Sequence, residues 1–252
     1  MKTRRLFSTA LFLMATFYSA SAFAQFEGHI QINLYSDDNG QREVSELNLY
    51  ATADRIMIKG EESLEVMGKV SAGGLLIRND MKDFIIMTDQ DKALQATKSG
   101  IESLVEMLTS WSGDSESSSS GAPDTEYEYT DRTKTILGYE TTELIIKSNE
   151  NPESHLSVWL TPGIDINWGM LAEPWKGMPK DIDKELNGMS QDVIFKGKNF
   201  PLMIEVVEEG KREIVMDVKN VNRSSIAKAM VEVPAGVKLI SLQEYIFSMM
   251  ME

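Results

Sequence analysis

Large apolar side chains crowd one irregular stretch of the chain. Trp159, Trp168, Met170, Leu171, Trp175 and Met178 fall within residues 159–178, most of which follow neither a helical nor a strand period. Rings and thioethers on irregular backbone suit the wall or lid of a site for an apolar ligand, because methionine adapts to varied apolar shapes. The same residues also suit a plug of ordinary core across the open end of a sheet, and both readings stand at this level. A cavity, if there is one, must also be lined by alternate strand residues: Leu47, Leu49, Ile56, Ile58, Ile86, Leu156, Val158, Ile204 and Val206. An acyl chain in such a space gains roughly 0.8 kcal/mol per buried CH₂, so about ten groups reach about −8 kcal/mol, or micromolar affinity, before orientation costs.

Other chemistries find little support. There is no cysteine, which removes thiol catalysis, disulfides and thiolate metal sites. The two histidines, His29 and His155, are far apart, so a zinc site is not expected. Asp37, Asp38 and Asn39 lack the spacing and terminal Glu of a calcium loop and read as a turn. No Gly-x-Ser-x-Gly elbow occurs, and the glycines of 68–74 lack the Lys-Ser/Thr of a phosphate loop. A pair of carboxylates for hydrolysis is conceivable, but the chain holds 39 acids and nothing singles out two of them. No catalytic residue, metal or cofactor is therefore assigned.

Export is the clearest message of the amino terminus. Arg4 and Arg5 precede a short apolar run, and Ala22-Phe23-Ala24 has the small-x-small form of a cleavage site, so 1–24 reads as a signal peptide cut before Gln25. No later apolar run is long enough for a transmembrane helix, so the expected mature protein is soluble, in a periplasm or outside the cell. Cleavage removes three of 25 basic residues and none of the 39 acidic ones, leaving 228 residues with formal charge −17. That field opposes nucleic acids and anionic membrane surfaces. A lipid or other apolar small molecule, or an envelope protein, remains as partner.

Strands must position these residues. Period-two alternation runs from Phe26 to Tyr35 and from Val44 to Ala53, around a turn at Asp37-Asp38-Asn39-Gly40. Arg55–Lys59, Leu75–Ile77, Phe84–Met87 and Ala93–Ala96 continue a meander, and Ser99–Trp111 switches to a helical stripe opened by a capping box. A serine-rich stretch at 112–126 reads as a flexible low-complexity loop. Strands resume at Thr133–Leu137, Thr141–Ile146, His155–Leu160, Phe200–Val207, Glu213–Val221 and Ala229–Val233. Short helices are expected at Asp181–Leu186 and Ser241–Phe247, and Glu208–Lys211 reads as a hairpin loop.

Three short motifs carry a resemblance. Thr133-Lys134-Thr135-Ile136-Leu137-Gly138-Tyr139 resembles a hallmark of the DUF4412 family of exported bacterial proteins. Val231-Glu232-Val233-Pro234-Ala235-Gly236-Val237-Lys238 is similar to that family's closing strand and Pro-x-Gly, with Val237 where Tyr is usual. A Phe-x-Gly opening (Phe26, Gly28) agrees. Such proteins are similar to the lipoprotein-carrier (LolA-like) architecture. The resemblance implies an α+β fold with a strongly curved antiparallel β-sheet, an incomplete barrel, and two or three short helices. Residues 25–252 are then expected as a single LolA-like domain of about ten strands. The expected role is non-enzymatic binding or carriage of a lipid-like or other apolar ligand in the cell envelope. The alternatives are a structural or protein-interaction module with a packed core and a carboxylate-dependent envelope hydrolase.

Overall fold

Alternating strands build most of the molecule. The computed structural model describes residues 25–38, 41–60, 64–66, 70–88, 91–111, 125–148, 154–176 and 190–250. The expected signal peptide, the Asn39-Gly40 turn, positions 112–124 of the expected loop, Met178 and the expected helix at 181–186 lie outside them. The first half contains β1 (Gly28–Asp38), β2 (Gln41–Ala51), β3 (Arg55–Gly60), β4 (Leu64–Val66), β5 (Val70–Ala72), β6 (Gly74–Arg78), β7 (Asp83–Met87) and β8 (Lys92–Thr97), then helix α1 (Lys98–Trp111). The second half adds β9 (Thr125–Ile136), β10 (Tyr139–Ser148), β11 (Ser154–Thr161), β12 (Phe200–Glu208), β13 (Lys211–Arg223), β14 (Lys238–Ser241) and helix α2 (Leu242–Met250). None of the helices among the described residues is long and apolar enough to cross a membrane.

Two-residue turns fix several registers. β9 and β10 meet at Ile136↔Tyr139, with Leu137 and Gly138 both at positive φ (51° and 82°). β12 and β13 meet at Glu208↔Lys211, with Glu209 at 49° and Gly210 at 79°. Left-handed backbone at both central residues gives a turn whose twist matches that of the strands it joins.

Twelve strands form one sheet in the order β14-β8-β7-β6-β3-β2-β1-β13-β12-β11-β10-β9, while β4 and β5 pair separately. This corrects the expected strongly curved antiparallel incomplete barrel. The terminal strands β14 and β9 lie at opposite ends of the order, so the sheet is open. It is also mixed, because β14 runs parallel to β8 from Lys238↔Lys92 to Ser241↔Gln95. Alternation reports that one face of a strand is buried; it carries no information on whether sheet ends approach each other. The expected strand at Ala229–Val233 is instead a 3₁₀ turn at Lys228–Val231, and β9 begins at Thr125 rather than Thr133.

Both faces are covered where the sequence is most apolar. On one face Phe26, Ile30, Leu49, Ile56, Ile77, Phe84, Leu202 and Val218 pack against Ile164, Ile166, Met170 and Trp175 of the irregular segment. On the other, Met57, Leu76, Ile85 and Ala93 pack beneath Val231, Ile226, Val237 and Leu239. Burial on both sides explains the unbroken apolar runs of β6 and β7. Leu144, Ile146, Val158 and Leu160 form a further cluster with Val193 of a π-helical turn at Ser190–Phe195.

Candidate functional site

Proline, glycine and asparagine keep the segment after β11 irregular, and side-chain hydrogen bonds hold it in place. The Thr161 Oγ1 accepts from the Gly163 amide at 3.1 Å, and the Asn167 Oδ1 accepts from the Gly169 amide at 3.1 Å. Asn79, in the turn between β6 and β7, donates to the Asn167 carbonyl at 2.8 Å and accepts from the Met170 amide at 3.3 Å. The Phe26 amide donates to the Asp165 carbonyl at 2.6 Å. Gly169 has φ +49°, and a Cβ there would lie 2.1 Å from the Asn79 side chain, so glycine is required.

This scaffold places Trp168 on the surface of a cleft of about 620 Å³. Ile166, Ala172 and Phe195 line it with Trp168, and Asp165, Lys196 and Lys198 add polar groups. The Trp168 and Phe195 rings are tilted by 60° with centroids 5.2 Å apart. Lys198 donates to Asp165 at 2.9 Å.

The other expected site residues are dispersed. Met170 and Trp175 are buried core, and Trp175 stacks on Phe84 at 6.0 Å beneath the Lys98 ammonium. Met170 also borders a second cleft of about 400 Å³ beside Lys98 and Glu102. Leu171 is half-buried against the same core. Leu49 lies within that core and Leu47 is half-buried on β2. Ile86 packs on Leu94, and Val158 with Ile204 joins the cluster under Val193. Trp159, one residue from Val158, lies on the opposite face of β11.

That opposite face carries a buried polar constellation that the sequence did not single out. Glu143 of β10 is fully buried and Glu205 of β12 nearly so. Ser157 donates to Glu143 Oε1 at 2.6 Å, and Thr130 donates to its Oε2 at 3.0 Å. The Trp159 indole donates to Glu205 Oε2 at 2.8 Å. Arg212 of β13 bridges the two acids, at 3.0 Å from Glu205 and 3.4 Å from Glu143. Arg132 approaches Glu143 at 3.1 Å, and the Lys134 ammonium sits 3.8 Å from the Trp159 ring centroid. A polar band continues toward β2, where Tyr35 donates to Asp217, Lys219 meets Glu46, and His29 stacks on Tyr50.

Burial pushes the Glu143 carboxyl up, but hydrogen bonds from Ser157 and Thr130 and the charges of Arg132 and Arg212 outweigh it, so its pKa lies below the usual carboxylate value. Burial brings Lys134 below the usual lysine value, against the pull of Glu205. A glycosidic acid needs a raised pKa and a free proton to give, and Glu143 has the reverse. The constellation therefore acts as a brace around an ionised Glu143 that ties together five strands, β9 to β13. Its signal in sequence was the polar side of the alternation, Glu143 between Thr142 and Leu144 and Ser157 between Leu156 and Val158. What joins them is register across β10, β11 and β12, which no local pattern encodes.

Residues 26–237 match the family model described as Domain of unknown function (DUF4412). No curated protein matches the chain by sequence. Among solved structures, PNGF-II is similar at TM-score 0.42 and 11% identity over 88% of this chain, which spans 32% of that protein. MucB is similar at TM-score 0.33 and 9% identity, with 83% of this chain and 58% of that one covered. A LolA superfamily protein from Nitrosomonas europaea is similar at TM-score 0.27 and 6% identity, with 83% and 91% covered. Likenesses of this size fix neither fold nor activity.

Proposed function

The chain belongs to the DUF4412 family, and on that premise we propose that it is a non-enzymatic binding protein of the cell envelope that holds a lipid-like ligand in the Trp168 cleft. The observation that carries the reading is this cleft of about 620 Å³, with Trp168, Phe195, Ile166 and Ala172 on its walls. Its size falls within the range of small-molecule sites, and its tilted ring pair offers an apolar surface held in place by Asn79 and Asn167. The ligand lies at the surface rather than within the sheet, because Leu49, Ile86 and Val158 are already packed into side-chain clusters. Export through the amino-terminal signal brings the protein to the compartment where such ligands occur.

The packed clusters also favour a second reading, an interaction module without a ligand. One experiment separates the two. Native mass spectrometry on protein from an envelope fraction should show a co-purified acyl species at defined stoichiometry. Trp168→Ala should weaken rebinding of a fatty-acid probe by roughly tenfold, the loss of one aromatic contact. A clean apo mass with no uptake of added lipid sinks the first reading and leaves the second.

A further inference from the structure

The two ends of the sheet are finished differently. β14 is four residues long and runs directly into α2, whereas β9 is twelve residues long and has no strand on its outer side among the described residues. A long bare edge presents a row of backbone donors and acceptors to any strand that fits it. What fits is decided by the side chains. β9 carries two extra residues between Tyr129↔Leu144 and Thr133↔Thr142, and because that shift is even, Glu126, Glu128, Thr130, Arg132 and Lys134 still share one face. Contacts of Thr130 and Arg132 with Glu143, and of Lys134 with the Trp159 ring, lie on that face. The strand is thus acidic at its start and basic at its end. Beside the acidic half opens a cleft of about 440 Å³ lined by Glu126, Tyr127, Glu128, Ile145 and Lys147.

We propose that β9 pairs antiparallel with β9 of a second copy of this chain, about a twofold axis at Thr130. Reversal about that residue sets Glu126 opposite Lys134 of the second copy and Glu128 opposite its Arg132, and symmetry repeats both pairs. Moving the axis by one residue keeps only one of the two pairs, Glu126 with Arg132 or Glu128 with Lys134, and leaves Glu128 facing Thr130 or Glu126 facing Ile136, so the charges favour the Thr130 register. Arg132 keeps 54% of its side chain exposed while it contacts Glu143, which leaves it able to serve both acids. A uniformly acidic or basic strand would meet one attractive and one repulsive half of this edge, whereas a second copy meets opposite charge along both.

The test is sedimentation velocity on the 25–252 chain. A dimer that weakens with added salt is expected, and E126K/E128K should weaken it by at least roughly tenfold with an unchanged circular dichroism spectrum. The chain has no cysteine, so Thr130→Cys introduces its only thiol. Mild oxidation should then link two copies through that position, whereas the control Glu43→Cys on exposed β2 should stay unlinked. A monomer at up to roughly 100 μM overturns the proposal. So does a dimer indifferent to E126K/E128K, a dimer in which Thr130→Cys fails to link, or a monomer that binds a basic extended peptide along β9 instead.

Discussion

Arg212→Met puts the buried brace to the sharpest test. In the native protein Arg212 lies 3.0 Å from Glu205 and 3.4 Å from Glu143, and Glu143 has no exposed surface. Methionine keeps much of the packing and removes the charge. Breaking a buried pair costs about 3–5 kcal/mol, but Arg212 is 32% exposed and Arg132 remains beside Glu143, so we expect a loss of roughly 2–3 kcal/mol. In a chain of this length that lowers the unfolding midpoint by about 4–12 °C. The pH dependence has a definite sign. The Glu143 pKa is depressed in the folded state, so its contribution is fully present above the unfolded carboxylate value and disappears as pH falls through the lower folded value. The gap between wild type and variant should therefore be widest at neutral pH and narrow in acid. Urea denaturation across that range measures it. A variant as stable as wild type at neutral pH, or a gap that ignores pH, would refute the reasoning.

Gly169→Ala forces a side chain toward Asn79, which must then swing away and lose its bonds to Asn167 and Met170. A loss of about 1–3 kcal/mol and a shifted Trp168 emission are expected; a silent spectrum would count against the role of Asn79. Leu202→Ala empties a fully buried site in the main core and should cost about 2–5 kcal/mol by chemical denaturation. A change below about 1 kcal/mol would mean that the core closes over the gap.

The strands were legible because alternation is a local signal. β3, β6, β7, β8, β11 and β12 fall within a residue or two of their expected bounds, and Glu209-Gly210 forms the expected turn. The start of β9 was missed because Glu126, Tyr127, Glu128 and Tyr129 are all exposed, as an edge strand permits, so no buried face marked them. β14 was missed because it is four residues long and its pairing with β8 joins residues far apart in sequence. Trp168 stood out in the sequence by its bulk and irregular surroundings, and it lines the cleft of about 620 Å³. Its neighbours in sequence were not separable into cleft and core, because Met170 and Trp175 turn inward under constraints from Asn79 and Phe84. Glu143 and Glu205 were hidden among many acids until strand register brought both to Arg212.

The β1–β13 pair, which joins Gly28 to Arg223, has a consequence for how the chain acquires its shape. On either side of this seam lie meanders whose neighbouring strands are mostly close in sequence and can zip early. The seam itself waits until nearly the whole polypeptide is available, and β14 then crosses back to strap the far edge of the earlier meander. A chain still being synthesised thus lacks its final hydrogen-bond ladder until its last quarter arrives, and the two meanders must wait unjoined until then.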